Sequence, residues 1–186
     1  MPDLNTVPGD LPRPIDDGAC DHLLGIRVPP IALPSTRGHP VALASLPPGR
    51  TVSFCYPLTG RPGEALPHGW DSIPGARGCT PQACAFPDHY RELEAHDAAV
   101  FGLSTQDEGY QREMAERLHL PFPVLSDRDL RFAQALRLPL FEIDGKKLIK
   151  RLTLIVRGGA IEHVVYPVFP PDENASQVLR WLAARP

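Results

Sequence analysis

The chain has 186 residues, 42% of them hydrophobic and 22% charged, and a formal net charge of −3 at pH 7. That length suits one domain with its own hydrophobic core, and charges of both signs scattered along the chain exclude a basic stripe for nucleic acid. No apolar run is long enough to span a membrane, and the first residues lack the basic and apolar regions of a signal peptide. We therefore expect a soluble cytoplasmic protein that binds neither nucleic acid nor membrane.

The chain opens with an irregular arm. Residues 1–19 mix Pro, Asp and Gly without apolar periodicity, and we predict a single domain over residues 20–186. At the start of that domain, the short apolar pieces 31–34 and 41–43 flank a polar turn and indicate a small N-terminal hairpin.

Strand and helix patterns alternate through the rest of the chain. Runs of β-branched and aromatic residues predict strands, apolar residues at helical spacing predict helices, and a two-glycine turn between two strand patterns predicts a hairpin. The predicted elements are strand 51–56, helix 79–96, strand 99–104, helix 111–118, strand 122–126, helix 130–136, hairpin 152–166 and helix 173–184. This order predicts an α/β fold, in which helices flank a mixed, mostly parallel central sheet with an antiparallel pair at its edge.

A long loop joins the first predicted strand to the first predicted helix. Residues 57–78 are denser in Pro and Gly than a helix or strand would accept. Ordered loops of this length are uncommon in compact domains and tend to be functional. Trp70 within the loop either closes over a pocket or pins the loop to the core, and we favour pinning.

Cys79 and Cys84 follow this loop directly and stand five residues apart. Pro81 suits the first turn of a helix, where its missing N–H would be unpaired anyway, so Cys79 is predicted to open that helix. Unpaired N–H groups and the positive end of the helix dipole stabilise a thiolate, which is the nucleophilic form of cysteine. The alternative is that both are small buried core residues, which is also the simplest interpretation of Cys55, whereas Cys20 is interpreted as a surface or packing thiol.

The sequence indicates neither a metal site nor a cofactor. The seven histidines are dispersed without ligand spacing, and two cysteines supply only half of a zinc site. His89 follows Cys79 by ten residues on the same predicted helix and cannot act as its base, which argues against a Cys/His hydrolase.

Five sequence landmarks follow one another along the chain. They are Tyr56-Pro57, then Gly78-Cys79-Thr80-x-x-Ala83-Cys84-x-Phe86-x-Asp88, then Phe101-Gly102-Leu103-Ser104, then Leu120-Pro121-Phe122-Pro123-Val124-Leu125-Ser126-Asp127, and finally Arg151-Leu152-Thr153-Leu154-Ile155-Val156 before a glycine turn. In this order they resemble the peroxiredoxins, and most closely the peroxiredoxin Q or bacterioferritin-comigratory group. The resemblance covers the chain from about residue 24 to the C-terminus, and the series is far more specific than any one landmark.

The resemblance implies a thioredoxin-like fold and an atypical two-cysteine thiol peroxidase that reduces hydrogen peroxide and organic hydroperoxides. Cys79 matches the peroxidatic cysteine, which becomes a sulfenic acid, and Cys84 matches the resolving cysteine that forms a disulfide with it. Arg151 matches the arginine that the family aims at the thiolate and the peroxide. The implied electron donor is a thioredoxin or a similar dithiol, and we expect a monomer or a weak homodimer.

Helix geometry sets a condition on that disulfide. Five residues along a helix separate two Cα atoms by about 8 to 9 Å, beyond the roughly 7 Å that a disulfide spans. The start of the helix must therefore unravel before the bond closes, and Pro81 weakens the regular hydrogen bonding there.

The loop before Cys79 departs from the family pattern Pro-x-x-x-Thr-x-x-Cys. Ala76 stands three residues before Cys79, where the family has a threonine whose hydroxyl bonds the thiolate and the peroxide. An insertion over residues 60–77 explains the difference, and Pro57 is then retained before it as a pocket residue. The candidates for the missing hydroxyl are Thr59, which we favour as a pocket residue, Ser72 and Thr80.

Two other functions remain open to the sequence. A redox-sensing or holdase-like binding protein would use a Cys79–Cys84 disulfide as a conformational switch and would turn over peroxide slowly. A thioredoxin-like disulfide reductase is disfavoured, because the chain has no Cys-x-x-Cys pair.

Overall fold

The structure is a computed structural model that describes Leu4 and residues 6–185. The predictions for the start of the arm, residues 1–3 and 5, and for the last residue of the domain, 186, lie outside the described residues. Between residues 6 and 19 the arm contains no helix or strand.

In the described part of the chain, seven strands form two sheets. They are β1 (Arg50–Cys55), β2 (Ala98–Ser104), β3 (Val124–Ser126), β4 (Leu140–Ile143), β5 (Lys146–Ile149), β6 (Leu152–Arg157) and β7 (Ala160–Val165). The central sheet has the order β3-β2-β1-β6-β7, while β4 and β5 pair separately. β1, β2 and β3 are parallel, and β6 runs antiparallel to both β1 and β7. The predicted α/β fold with a mixed central sheet is therefore confirmed.

Helices cover both faces of this sheet. Among the residues that the structure describes, the five α-helices are α1 (Cys79–Asp88), α2 (Tyr90–Ala95), α3 (Glu108–Arg117), α4 (Arg131–Leu136) and α5 (Asn174–Ala183). Side chains of a strand alternate between faces, so Val52 and Phe54 of β1 join one core cluster while Cys55 joins the other. α4 packs into the cluster of Cys55, and the other four helices contribute to the cluster of Phe54. Both faces of β1 are thus buried.

The prediction of one helix over 79–96 is wrong, because the segment forms α1 and α2 with a break at His89. Pro87 lies inside the last turn of α1. A proline supplies no N–H to the carbonyl four residues earlier, and its ring crowds that carbonyl. The His89 N–H instead donates to the carbonyl of Phe86 at 3.2 Å, which closes the helix with a tighter turn. The break was readable from the sequence at Pro87.

Two hairpins differ from the predictions. The N-terminal hairpin is reduced to a single antiparallel pair, in which Leu33 and Val41 exchange backbone hydrogen bonds of 2.9 Å. The β4–β5 hairpin was not predicted. Its turn, Asp144-Gly145, has positive φ at both residues, 49° and 70°, which is the geometry that Asp-Gly turns adopt in two-residue hairpins.

Within the described part of the chain, none of the helices combines the length and the apolar character that crossing a membrane would require.

Candidate active site

Cys79 is the first residue of α1 and is almost completely buried, with 3% of its surface exposed. Gly78 caps the helix with φ of 95°, a left-handed conformation that glycine adopts without strain. Its carbonyl accepts the first helical hydrogen bond, from the Gln82 N–H at 3.0 Å. The Cys79 Sγ lies 3.4 Å from the carbonyl oxygen of Ala76. The prediction that Cys79 opens a helix is confirmed.

Arg151 lies beside this sulfur and is equally buried, with 3% exposure. Its Nη2 group donates to Cys79 Sγ at 3.2 Å. Nη2 also donates to the carbonyls of Ala76 and Arg77 at 3.1 and 3.0 Å, and Nε lies 3.3 Å from the carbonyl of Gly75. The guanidinium is therefore fixed by the last residues of the long loop, and it places a buried positive charge in contact with the sulfur.

A second set of contacts reaches Arg151 from α5. Arg151 Nη1 donates to Gln82 Oε1, and Gln82 Nε2 donates to Asn174 Oδ1 at 2.9 Å. The hydroxyl of Thr153 donates to the same Asn174 oxygen at 2.7 Å. Gln82, Asn174 and Thr153 are fully buried. These three residues were not predicted for the site, because 92 residues separate Gln82 from Asn174 and no local sequence pattern marks their contact.

Cys84 lies further along α1 and is half-buried. Burial raises the pKa of its thiol, and the carboxylate of Asp88 adds to that rise. The four cysteines, all of which the structure describes, are free thiols. With both Cys79 and Cys84 inside one helix, the separation expected from helix geometry applies, and a disulfide between them needs the helix start to unwind.

The three candidate hydroxyls lie in different places. Thr59 is fully buried, and both its N–H and its hydroxyl donate to Gln106 Oε1, at 2.9 and 3.1 Å. Ser72 ends a short 3₁₀ turn and is exposed. Thr80 is buried and lines the same small cleft as Cys79. Of the three, Thr80 is the one found along the cleft of the cysteine.

Pro57 is buried at the end of β1, and its carbonyl lies 3.4 Å from the Ser104 hydroxyl at the end of β2. This contact ties the beginning of the long loop to the neighbouring strand.

The long loop covers Cys79 and leaves a narrow cleft of about 10 Å³. Apolar side chains of the loop, Leu58, Leu66 and Trp70, line it together with Leu4 of the arm. Trp70 is buried and its ring centroid lies 6.1 Å from that of Phe141 in β4. Trp70 thus pins the loop to the core, as favoured from the sequence, while also bordering the cleft.

Cys20 and Cys55 are buried in the core cluster on the other face of the sheet. Burial, and then the carboxylate of Asp17, raises the pKa of the Cys20 thiol to about 12. Burial likewise raises the pKa of Cys55 far above its ordinary value. These thiols have the environment of packing residues. Among the described residues, no three His, Cys, Asp or Glu side chains are grouped so that they could hold a metal ion.

The fold and the site together define a class. A thioredoxin-like α/β domain presents a cysteine at a helix start, with a buried arginine on its sulfur, and this is the arrangement of a thiol-active redox protein. A family model described as Redoxin matches residues 23–179, and the chain belongs to that family.

The similar proteins are peroxiredoxins. The chloroplastic peroxiredoxin Q of Sedum lineare is 27% identical over 158 residues, which are 85% of this chain and 76% of the relative. A putative chloroplastic peroxiredoxin Q of Oryza sativa subsp. indica is 28% identical over 134 residues, 72% of this chain and 59% of that protein. The crystal structure of peroxidoxin BcpB from Mycobacterium tuberculosis has a TM-score of 0.71 at 28% identity and covers 88% of this chain and 97% of its own. The resemblance stated from the sequence is confirmed, and the chain is a peroxiredoxin.

Proposed function

We propose that this peroxiredoxin reduces hydrogen peroxide and organic hydroperoxides with Cys79 as the peroxidatic cysteine and Arg151 as the group that activates it. The observation that carries the proposal is the 3.2 Å contact between Arg151 Nη2 and Cys79 Sγ in a buried setting at the start of α1. A hydrogen bond from a buried cation to a sulfur favours the nucleophilic thiolate.

In the first step, the Cys79 thiolate attacks the terminal oxygen of the peroxide. The S–O bond forms while the O–O bond breaks, and the leaving oxygen takes a proton to depart as water or an alcohol. Cys79 is oxidised to a sulfenic acid and the peroxide is reduced. Negative charge shifts from the sulfur to the leaving oxygen during this step. Arg151 stabilises that charge by donating hydrogen bonds, which is the role of a fixed donor in a site that excludes water.

In the second step, the start of α1 unwinds and the Cys84 thiolate attacks the Cys79 sulfur. The S–S bond forms, the S–O bond breaks, and the oxygen leaves as water. In the folded helix, burial and the nearby Asp88 carboxylate raise the pKa of Cys84. Unwinding exposes Cys84 and removes the effect of burial, so more of its thiol ionises to the nucleophilic thiolate.

In the third step, an external dithiol reduces the Cys79–Cys84 disulfide by thiol–disulfide exchange and restores both thiols. The donor that we propose is a thioredoxin-like protein of the cytoplasm. We also propose that this peroxiredoxin is itself a monomer or a weak homodimer.

Pro57 and Thr59 are proposed as residues of the substrate pocket. The hydroxyl of Thr59, which donates to Gln106, is proposed to replace the missing threonine hydroxyl of the family. Thr80, which lines the cleft of Cys79, is the alternative source of that hydroxyl.

The test is peroxide consumption by the reduced protein, followed by stopped-flow fluorescence and intact-mass spectrometry. We expect rapid consumption of hydrogen peroxide or cumene hydroperoxide and the loss of two hydrogen atoms, with Cys79 and Cys84 joined in the peptide map. Cys79→Ser should abolish consumption, and Cys84→Ser should accumulate a sulfenic acid that dimedone traps at Cys79. If Cys79→Ser consumed peroxide like the wild type, the proposal would be lost. A trapped sulfenic acid with no intramolecular bond in the wild type would remove Cys84 from the mechanism.

A further inference from the structure

We propose that Asn174, the first residue of α5, is a positioning residue for Arg151. Acting through Gln82, it holds the guanidinium in the orientation in which Nη2 donates to Cys79 Sγ. The inference rests on the roles proposed above for Cys79 and Arg151.

The direction of each hydrogen bond in this cluster follows from Arg151, because a guanidinium carries donors and no acceptor. Nη1 therefore requires the oxygen of the Gln82 amide, which turns the Gln82 Nε2 group toward Asn174. That group donates to Asn174 Oδ1 at 2.9 Å. If Asn174 presented its NH₂ group instead, two donors would face each other. Gln82 would then form a hydrogen bond with Asn174 only by turning its oxygen toward Asn174, which would turn its own NH₂ group toward Arg151. The oxygen of Asn174 thus keeps the oxygen of Gln82 on Arg151.

The same reasoning accounts for an unsatisfied group in the core. Thr153 Oγ1 also donates to Asn174 Oδ1, so this one oxygen accepts two hydrogen bonds. Asn174 is fully buried, and its Nδ2 group has no hydrogen-bond partner in the part of the chain that the structure describes. An unpaired buried donor destabilises a fold, and each such group calls for an explanation. Here the donor is left unpaired because the oxygen must face Gln82.

Asn174, Gln82 and Arg151 form a hydrogen-bond relay, and this relay lies where the proposed reaction cycle changes the structure. Gln82 is one turn beyond Cys79, and its backbone N–H makes the first hydrogen bond of α1 to the Gly78 carbonyl. Unwinding of this turn, which the Cys79–Cys84 disulfide requires, would carry Gln82 away from Asn174 and Arg151. The relay therefore orients Arg151 while Cys79 is reduced and releases it when the disulfide forms.

The experiment compares Asn174→Ala with Val178→Ala, which removes buried side-chain atoms one turn later on α5 and leaves the relay intact. Two rate constants are measured at Cys79, oxidation by hydrogen peroxide in stopped flow and alkylation by iodoacetamide at mildly acidic pH. We expect Asn174→Ala to lower both by about ten-fold, since it disorders a hydrogen bond to a charged group, and Val178→Ala by less than about two-fold.

Gln82→Glu supplies the readout that a purely structural role would not move. A carboxylate presents an oxygen to Arg151 whichever way it is turned, so it has no need of Asn174 to orient it. In the Gln82→Glu background, we expect Asn174→Ala to change either rate by less than about two-fold. Equal losses in Asn174→Ala and Val178→Ala, or an undiminished loss in the Gln82→Glu background, would overturn the inference.

Two further measurements keep the outcome decisive. If circular dichroism shows that Asn174→Ala does not fold, Asn174→Ser replaces it with the same expectations, because a serine is small and polar but too short to reach Gln82. If the wild type consumed no peroxide, the proposed function would fail on its own. The alkylation rates would still test the relay, since iodoacetamide needs only the thiolate that Arg151 stabilises.

Discussion

At the scale of single residues, the proposed chemistry depends most on Arg151. Its guanidinium serves two purposes at once, because Nη2 contacts the Cys79 sulfur while the same group and Nε bind the loop carbonyls of Gly75, Ala76 and Arg77. A lysine ammonium is a compact charge without this planar spread of donors. It could reach the carbonyls or the sulfur, but it could not hold both.

We predict that Arg151→Lys lowers the rate of Cys79 oxidation by hydrogen peroxide by about 100-fold, the size of effect seen when one fixed donor leaves an active site. The free energy of unfolding should also fall by about 1–3 kcal/mol, because buried carbonyls lose their donors. Stopped-flow oxidation and urea unfolding measure the two effects.

Arg157→Lys is the control for this prediction. Arg157 is the last residue of β6, the strand that Arg151 directly precedes; its side chain is 59% exposed and makes a loose ion pair of 3.9 Å with Glu162. Its replacement should leave the oxidation rate within about two-fold and the stability within about 0.5 kcal/mol. An oxidation rate for Arg151→Lys within two-fold of the wild type would show that the guanidinium geometry is not required.

The cysteines give a second prediction at this scale, on selective labelling. Burial raises the pKa of Cys20 to about 12 and that of Cys55 further, so both thiols stay protonated at neutral pH. In the reduced native protein, iodoacetamide should therefore label Cys79 and then Cys84, and it should reach Cys20 and Cys55 only after unfolding in urea. Peptide mapping reads the order. Labelling of Cys20 or Cys55 at the rate of Cys79 in the folded protein would contradict the assignment of these two as packing residues.

At the scale of elements, the start of α1 is held against the segment that precedes α5. Gly78 has φ of 95°, and a Cβ atom placed on it would lie 2.4 Å from Cγ of Pro171. We predict that Gly78→Ala lowers the free energy of unfolding by more than about 2 kcal/mol, since it adds a clash to the cost of a left-handed conformation for a residue with a side chain. It should also slow Cys79 oxidation, because the helix start carries the sulfur. Urea unfolding and stopped-flow oxidation measure these changes.

Two comparisons separate the clash from the backbone strain. Gly25 has a similar φ of 78° but open space at its Cβ position, so Gly25→Ala should cost only about 1 kcal/mol and leave oxidation unchanged. Adding Pro171→Ala to Gly78→Ala should restore part of the lost stability, which a double-mutant cycle detects. Strictly additive losses in that cycle would mean that the two residues do not meet.

The elements that the sequence predicted well are those whose signals are local. The run of β-branched and aromatic residues in β1 predicts a strand, and Gly78, Cys79 and Pro81 predict a helix start, because each signal lies within a few residues. Two errors were local as well, since Pro87 marks the break after α1 and Asp144-Gly145 marks the β4–β5 turn. In these cases the sequence itself carries the signal.

The rest of the site depends on contacts between distant parts of the chain. Arg151 was placed at Cys79 by resemblance, and nothing in the local sequence shows that Gln82 and Asn174 meet beside it. Thr59 illustrates the reverse case, because its hydroxyl was proposed for the pocket and donates to Gln106 of a different loop. Which partner a buried polar group finds is decided by the packing of whole elements, and a local pattern does not contain that information.

At the scale of the whole molecule, the arm is tied to the core beside the active site. Asp17 accepts hydrogen bonds of 2.8 Å from Lys150 Nζ and from the Tyr166 hydroxyl, and Lys150 directly precedes Arg151. Lys150 first, and then Tyr166, lower the pKa of Asp17 from 3.8 to about 2. The folded state is thus stabilised by the ionised form of the Asp17 carboxyl group, which accepts both hydrogen bonds.

This depressed pKa predicts how the tie responds to acid. A carboxyl whose pKa is lower in the folded state stabilises the fold when ionised, so its contribution is complete above about pH 5 and shrinks as the pH falls through 3.8 toward 2. Asp17→Asn should lower the urea midpoint at pH 7, and the difference from the wild type should narrow steadily below pH 5. Asp10→Asn, an exposed position on the same arm, should show no such narrowing difference. A wild-type advantage over Asp17→Asn that stayed constant from pH 7 to pH 3 would mean that the arm is held by its apolar contacts and not by the charge of Asp17.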